Sequence, residues 1–433
     1  MADKESANIL ALDDTDESKQ SDYEVSGLAG LVKGKFTEAE DARKFDEERW
    51  LRAYRNYRGV YGNDMAFTES EKSKVFVKIT KTKVLAAYGQ LIEVLFSSGK
   101  FPVGVEPTPI PENIAEYAHV SKHQQQEPDS PYGYPGDGNE LAPGATDILG
   151  GLKDKYTGVN FVKGEATDGA AEPQINPAEE ASGNMEKMIH DQLEESSAVN
   201  VLRHALFEAA LLGTGVIKGP FTYEQVSHNW EKDEITGENK YSPKTKLVPR
   251  IESVSCWDFY PDPDAITIDD AEYVIQRHVY TRSQIRDLMN RPYFRKEAIR
   301  NALNMGPNYE ARGYESSLKD RESTSEYDKN RYEILEFWGT LDTELALEAG
   351  LEMDEDMDDM DEVQVNCWVC NGEVIRLVLN PFTPTRLPYL ICPYEINPYQ
   401  FFGIGIPENM DDAQTIMNGH ARMAIDNLAL AGN

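Results

Sequence analysis

The stretch Pro398-Tyr399-Gln400-Phe401-Phe402-Gly403-Ile404-Gly405-Ile406-Pro407 decides the reading of this chain. A short apolar strand breaks at Pro407 and hands over to a helix running from Glu408 to Leu430. Acids at Glu408, Asp411 and Asp412 load the first turn, where the helix dipole favours them. Met410, Met417, Ala421, Ala424 and Leu428 follow at spacings of three, four and seven, the period of one helical face. Gln414, Asn418, Arg422 and Asp426 form a neighbouring stripe that an ordinary core would not want. A half-polar helix with almost no chain after it is better explained by partners in an assembly than by a monomer. The chain therefore reads as a subunit, with Met410, Gln414, Met417, Asn418, Ala421, Arg422 and Asp426 as its candidate contacts.

A chain of 433 residues has room for two or three domains and a sizeable core. Hydrophobic residues make up 40% and the mean hydropathy is -0.56, so part of the chain is expected to be unfolded or fully solvated. Lys+Arg number 43 against Asp+Glu 76, a net charge of -33. That balance argues against tight phosphate binding, which cations drive by releasing counterions. A polyanion could still pass along such a surface without sticking. Four cysteines in this length do not make a disulfide framework. Met1-Ala2-Asp3-Lys4-Glu5 lacks the basic region and apolar core of a signal peptide, and no apolar run approaches a spanning helix. The chain is expected in a reducing cytoplasm, or in something assembled there.

Residues 1–36 are polar and acidic, with only a weak apolar patch at Leu28, Leu31 and Val32, and read as a flexible arm. Thr37 with Glu40 fits a capping box opening a helix through Phe45, Trp50, Tyr54 and Tyr57 that Gly59 stops. A stronger helix spans about Lys78 to Ser98, with Gly99 as its C-cap. Together these make a helical part over 37–111. Between 112 and 183 the run of Gln124-Gln125-Gln126 and repeated Pro and Gly breaks every period, so this is an inserted loop or a disordered segment. Within it, a short helical or strand piece is expected near Tyr156 to Val162. An α/β core over 184–400 starts with one long helix from Met185 to Leu212, closed by Gly213. Strands follow at Val216–Gln225, Lys246–Trp257 and Tyr273–Tyr280. Thr281 with Gln284 opens a capped helix, and another spans Arg295–Met305. Arg331–Leu341 is a strand, and Val363–Cys370 and Glu373–Leu379 flank Asn371-Gly372, a strong hairpin signal. The fold class is α+β, with 401–433 as a terminal helical segment.

The chemistry-bearing motifs do not add up to an active site. Cys367-Trp368-Val369-Cys370 has the spacing of half a zinc site, but residues three apart on a strand point to opposite faces. Buried strand cysteines are the preferred reading, with Cys256 and Cys392 standing alone. The acidic run Asp354–Glu362 lacks the glycine and bidentate Glu of a calcium loop and reads as a solvated connection. Asp262, Asp264, Asp269 and Asp270 could hold Mg²⁺ for phosphoryl chemistry. No cationic constellation accompanies them, and Pro261-Asp262-Pro263-Asp264 is a turn former in its own right. Gly403-Ile404-Gly405 lacks the third glycine of a dinucleotide site. No metal, cofactor or catalytic residue is assigned.

Three segments resemble the portal, or head-to-tail connector, proteins of tailed bacteriophages. The first is Arg49-Trp50-Leu51-Arg52-Ala53-Tyr54-Arg55-Asn56-Tyr57-Arg58-Gly59, leading into Val75 through Val84. The second is Ser253-Val254-Ser255-Cys256-Trp257-Asp258-Phe259-Tyr260-Pro261-Asp262-Pro263, followed by Ala271–Ile275 and Arg277-His278. The third is Gly403–Pro407 with Gln414, Asn418, Arg422, Asp426 and Asn427. In this order they cover most of the chain outside 1–36 and 112–183.

The resemblance implies a non-enzymatic subunit of a closed, usually dodecameric ring at a capsid vertex. Double-stranded DNA would pass through it without sequence-specific binding during packaging and ejection. The implied partners are the terminase large subunit, which hydrolyses the ATP, the major capsid protein and tail adaptor proteins. No membrane is involved, and assembly would take place in the host cytoplasm. Residues 37–400 would form a wing of helices and mixed or antiparallel sheet, and the helix from Glu408 the first stem helix beside the channel. The family continues into a clip, a second stem helix, a tunnel loop and a crown. The chain is thus expected to be a fragment or half of a split protein, without the clip on which terminase docks. The alternatives are another virion structural adaptor, or a metal-dependent nuclease or phosphohydrolase using Asp262, Asp264 and Asp269.

Overall fold

The computed structural model describes residues 27–62, 65, 67, 71–97, 101–107, 177–232, 239–319, 330–353, 360–382, 384 and 386–432. They belong to two compact units, Met1–Phe101 with Gln192–Asn433, and Pro102–Asp191. In the smaller unit His190 Nε2 lies 3.2 Å from the Val103 carbonyl. The segment expected as an insertion over 112–183, with its piece near Tyr156, falls outside the described residues up to 176. From Pro177 onward, however, the chain is helical. None of the helices among the described residues is long and apolar enough to cross a membrane.

The first described element of the larger unit is helix α1, residues 27–42. This corrects the arm expected over 1–36 at its C-terminal end. Leu28, Val32 and Phe36 recur at a helical period and are buried with Ala29 and Ala39. Thr37 is not a cap but sits in mid-helix, its hydroxyl donating to the Lys33 carbonyl at 3.0 Å. After a break at Arg43 comes α2, Lys44–Arg58, ended by Gly59 in the left-handed region (φ 76) as expected. Helix α3 is Ile79–Phe96; the Gly99 cap lies outside the described residues. The long helix expected over Met185–Leu212 is two, α4 (Pro177–Glu195) and α5 (Ala198–Leu212). Ser197 divides them by adopting φ 55, a conformation no glycine or proline announces.

Strands β1 (Thr214–Lys232) and β2 (Asn239–Val254) form a long hairpin. Then follow β3 (Phe259–Pro261), β4 (Tyr273–Thr281), α6 (Arg282–Leu288), α7 (Lys296–Met305) and α8 (Gly313–Lys319). The chain continues through β5 (Arg331–Asp342), α9 (Thr343–Glu348), β6 (Glu362–Cys370), β7 (Glu373–Leu379) and β8 (Tyr389–Pro393). It ends in α10 (Ile406–Asn409) and α11 (Asp411–Ala431). The capping box of Thr281 and Gln284 is formed in full, and Asn371 and Gly372 take φ 52 and 77, the pair of positive values a tight hairpin needs. The result is α+β, with two sheets ordered β2-β1-β8 and β3-β4-β5-β6-β7, antiparallel throughout.

The five-stranded sheet is buried on both faces, which is why β5 and β6 read as near-continuous apolar runs. Leu335, Phe337, Val365 and Cys367 meet α1 on one side. On the other, Tyr332, Ile334 and Trp368 pack with Ile285 and Ile299 of α6 and α7, and Trp338 joins the core beneath α2 and α5. Cys367 and Cys370 do point to opposite faces, one into each core. Burial pushes both thiols up to about 12.

A polar network joins the two sheets. Lys218 of β1 donates to Glu336 of β5 at 2.5 Å and to Gln276 of β4 at 2.9 Å. His278 lies 2.7 Å from the same carboxylate, and the Trp338 indole donates to its other oxygen at 2.8 Å. Burial alone would raise the Glu336 carboxyl, but Lys218 and His278 outweigh it and hold the group well below the usual carboxylate range.

Candidate assembly site around the C-terminal helix

The entry to the terminal helix is a crossing of two backbones. Gly213, at φ 101, ends α5 where a Cβ would lie 2.3 Å from the Gly403 carbonyl oxygen. A Cβ on Gly403 would in turn meet the carbonyl oxygens of Glu395 at 2.5 Å and Gly213 at 2.7 Å. The Gly403 N–H donates to Thr214 Oγ1 at 2.9 Å. Only glycine permits such an approach, which accounts for Gly403-Ile404-Gly405 without any phosphate.

Helix α2 clamps this crossing. Trp50 is buried edge-on against Trp257 and Phe402, with ring centroids at 5.2 and 4.8 Å. Arg49 reaches Glu408 at 2.8 Å, Asp46 at 2.6 Å and the Gly403 carbonyl at 3.3 Å. Asn56 donates to Asp411 at 2.8 Å. The acids of the first turn thus serve the helix dipole and also receive a second helix. Arg43, at the break before α2, donates to the carbonyls of Cys256, Trp257 and Phe259 at 2.9, 3.0 and 2.8 Å. The 49–59, 253–263 and 403–407 segments, remote in sequence, meet here.

The single helix expected from Glu408 is divided at Met410, which lies near the bridge region (φ -100, ψ -1). The polar stripe of α11 faces inward. Gln414, Asn418 and Arg422 are the buried residues of the helix, and Gln414, Asn418 and Asp426 hold a strap formed by residues 71–78. Gln414 Oε1 accepts from the Thr80 N–H at 3.1 Å and its hydroxyl at 2.9 Å, while Nε2 donates to the Val77 carbonyl. Asn418 accepts from the Val77 N–H at 2.9 Å, and Asp426 from the Ser73 N–H at 2.9 Å. Arg422 lies over the rings of Tyr61 and Phe67. A backbone outside helix and sheet needs partners for its donors and acceptors, and the stripe supplies them at Ser73 and Val77 of the half-buried strap. Within the subunit, Gln414, Asn418 and Asp426 thus have the strap and the start of α3 as partners, and Arg422 has the two rings.

Replacing Gln414 by alanine leaves the Thr80 N–H and Val77 carbonyl without it. The expected cost is about 3 kcal/mol, with faster amide exchange at Thr80 than in the wild type. Unchanged exchange there would show that the stripe does not hold the strap.

Of the remaining candidates, Met410 packs on the core and Ala421 is half-buried, whereas Met417 and Leu428 are exposed at 43% and 72%. Ile416, Met423 and Leu430, which were not singled out from the sequence, lie on a further exposed row at seven-residue spacing. That spacing was legible in principle.

The cavity next to this region, about 1090 Å³, is lined by His204, Glu208, Ser255 and Trp257, among others. Burial raises the Glu208 carboxyl to about 7, against hydrogen bonds from the Ser255 hydroxyl at 2.7 Å and the Cys256 N–H at 3.2 Å. Its ordinary value is 4.5, so between the two the folded state holds a proton that the unfolded state does not. The stability this contributes is present below 4.5 and lost as pH rises through 7. Glu208→Gln is therefore expected to gain up to about 3 kcal/mol over wild type at pH 8 and nothing at pH 4, read from urea unfolding at both values. An equal difference at both pH values would contradict the assignment.

The acidic cluster at 262–270 is organised as a turn. Asp262 accepts from the backbone N–H groups of Asp264 and Glu272 at 3.1 and 3.2 Å, and Asp270 from Thr267 at 2.6 Å, as turn residues do. Among the described residues no group of three or more His, Cys, Asp or Glu could hold a metal ion. Most of the run Asp354–Glu362 lies outside the described residues.

Compared with known proteins, residues 170–433 match the family model described as phage SU10 portal protein. No curated protein matches the chain. The match spans well over half the chain and takes in both sheets, the Gly213–Gly403 crossing and the whole of α11, so the chain belongs to the phage SU10 portal protein family.

Proposed function

We propose that this chain assembles with copies of itself into a closed ring, a dodecamer, that forms the DNA channel at a capsid vertex. As a member of a portal family it is a structural component of a phage virion. The observation that carries the ring reading is the exposed apolar surface of α11. Its polar stripe is spent inside the subunit, yet Ile416, Met423 and Leu430 form one exposed row, and Met417 with Leu428 another. Adjacent positions on a helix lie about 100° apart, so the rows face different directions. A subunit in a ring needs two different contact surfaces, one for each neighbour, and two rows supply them. Double-stranded DNA would pass such a ring without sequence-specific retention, in keeping with a net charge of -33. The terminase large subunit, the major capsid protein and tail adaptors are the partners such a ring would serve.

Ile416→Asp with Met423→Asp changes only exposed positions of α11. The double variant is expected to keep the wild-type circular dichroism and melting curve but to run as a monomer in size-exclusion chromatography with light scattering. Assembly equal to wild type would remove α11 from the contact.

A further inference from the structure

We propose that the strap over 71–78 and the start of α3 form a lysine strip that takes the phosphate backbone of double-stranded DNA, an inference that deepens the reading of the ring as a DNA channel and rests on it. Between Glu71 and Glu93 the sequence has five lysines, at 72, 74, 78, 81 and 83, and no acid. Extending the window back to Arg49 adds four arginines against Asp64, Glu69 and Glu71. The chain as a whole runs the other way, with Asp+Glu 76 against Lys+Arg 43. A molecule with a net charge of -33 does not need these lysines for solubility, and scattered ones would relieve its self-repulsion as well.

The lysines project from a backbone that is held in place. Along the strap exposure alternates: Lys72, Lys74 and Lys78 are exposed, while Glu71, Ser73, Val75 and Val77 are half-buried. Asp426 and Asn418 accept from the Ser73 and Val77 N–H groups, and Gln414 donates to the Val77 carbonyl, so the strip has a fixed seat on α11. Lys81 follows Lys78 by three positions, on the same side of the helix start, and lies over the Tyr57 ring. Lys74 lies over the Phe67 ring, and Lys83 is exposed. None of the five forms an ion pair among the described residues. Asp426, the acid that touches the strap, is engaged by the Ser73 N–H.

Charge and polarity together select the occupant. The exposed residues of the strap are lysines alone. Protein–protein contacts bury an apolar centre and are depleted in lysine, whereas a DNA backbone is met by cations without any apolar contribution. Lysine is a compact point charge without the fork that reads base edges, so the contact is to phosphate and independent of sequence. The acidity of the rest of the molecule does not prevent it. At 0.1 M salt, exposed charges more than about 10 Å apart are largely screened, which leaves the lysines in contact as the charges that act. DNA is then touched at the strip and repelled elsewhere.

The test is binding of the full chain to mixed-sequence double-stranded DNA, read by fluorescence anisotropy across a salt series. Five phosphate contacts give a slope of log K against log salt of about -4.5. Lys72→Gln, Lys74→Gln and Lys78→Gln together are expected to make that slope shallower by about three and to weaken binding about a hundredfold at 0.1 M salt, with melting unchanged. Arg282→Gln, Arg286→Gln and Arg300→Gln remove the same charge from exposed positions of α6 and α7 and are expected to leave affinity within about threefold. Wild-type chain that does not bind DNA, equal losses in the two variants, or displacement of the DNA by polyglutamate at equal charge would overturn the strip while leaving ring formation untouched. Strip-dependent binding by a chain that stays monomeric would support the strip and overturn the ring.

Discussion

Trp50→Ala is expected to cost about 4 kcal/mol of stability and to loosen the terminal helix with it. The indole is 1% exposed and wedges α2 against Trp257 of the central segment and Phe402 of the crossing. Truncation leaves a cavity the size of the ring, bounded by backbone that glycine contacts already hold at their closest approach, so the site cannot collapse to fill it. The indole Nε1 is buried and makes no hydrogen bond among the described residues. Trp50→Phe removes no hydrogen bond, and its cost is expected to be under half that of alanine. Urea unfolding of the two variants separates packing from polarity: equal losses would mean that the indole nitrogen matters after all. Because Arg49 reaches Glu408 from the next position on α2, the alanine variant is also expected to increase amide exchange at the start of α11.

Lys218→Met is expected to be as damaging, about 3–5 kcal/mol. The ammonium is the ion-pair partner of a carboxylate that is 2% exposed, and removing it leaves the buried Glu336 with only His278, the Trp338 indole and Asn366 to hold it. Lys218→Met combined with Glu336→Leu removes both charges and is expected to recover most of the loss, a coupling only a direct interaction produces. Additive losses would contradict the pair. Since the Glu336 carboxyl is held below its ordinary range, its contribution is present above the unfolded value and lost as pH falls. Glu336→Gln is therefore expected to have a flatter acid limb than the wild type.

Much of this architecture can be read from local chemistry. The Asn371-Gly372 turn, the Thr281–Gln284 cap and the glycine ends of α2 and α5 all stand where short-range rules put them. The opposed burial of Cys367 and Cys370 follows from strand alternation. What escaped depends on distant partners. Leu28, Leu31 and Val32 look like a weak patch until the sheet beneath α1 is known. Ser197 breaks a helix with no residue that signals it.

Most telling is the stripe at Gln414, Asn418 and Asp426. Helical spacing sets it apart as a polar stripe, and its partner in the subunit is a backbone more than 300 positions earlier. No periodicity reports an extended strap, because its side chains do not carry the contact. The exposed rows on α11, by contrast, follow from the same spacing and are uncovered among the described residues.

The ring itself is tested most directly by the mass and shape of the purified chain, from light scattering with negative-stain imaging. A closed ring with a central hole, its mass a whole multiple of 48.7 kDa, is the expected result. A chain that stays monomeric at every accessible concentration would contradict it.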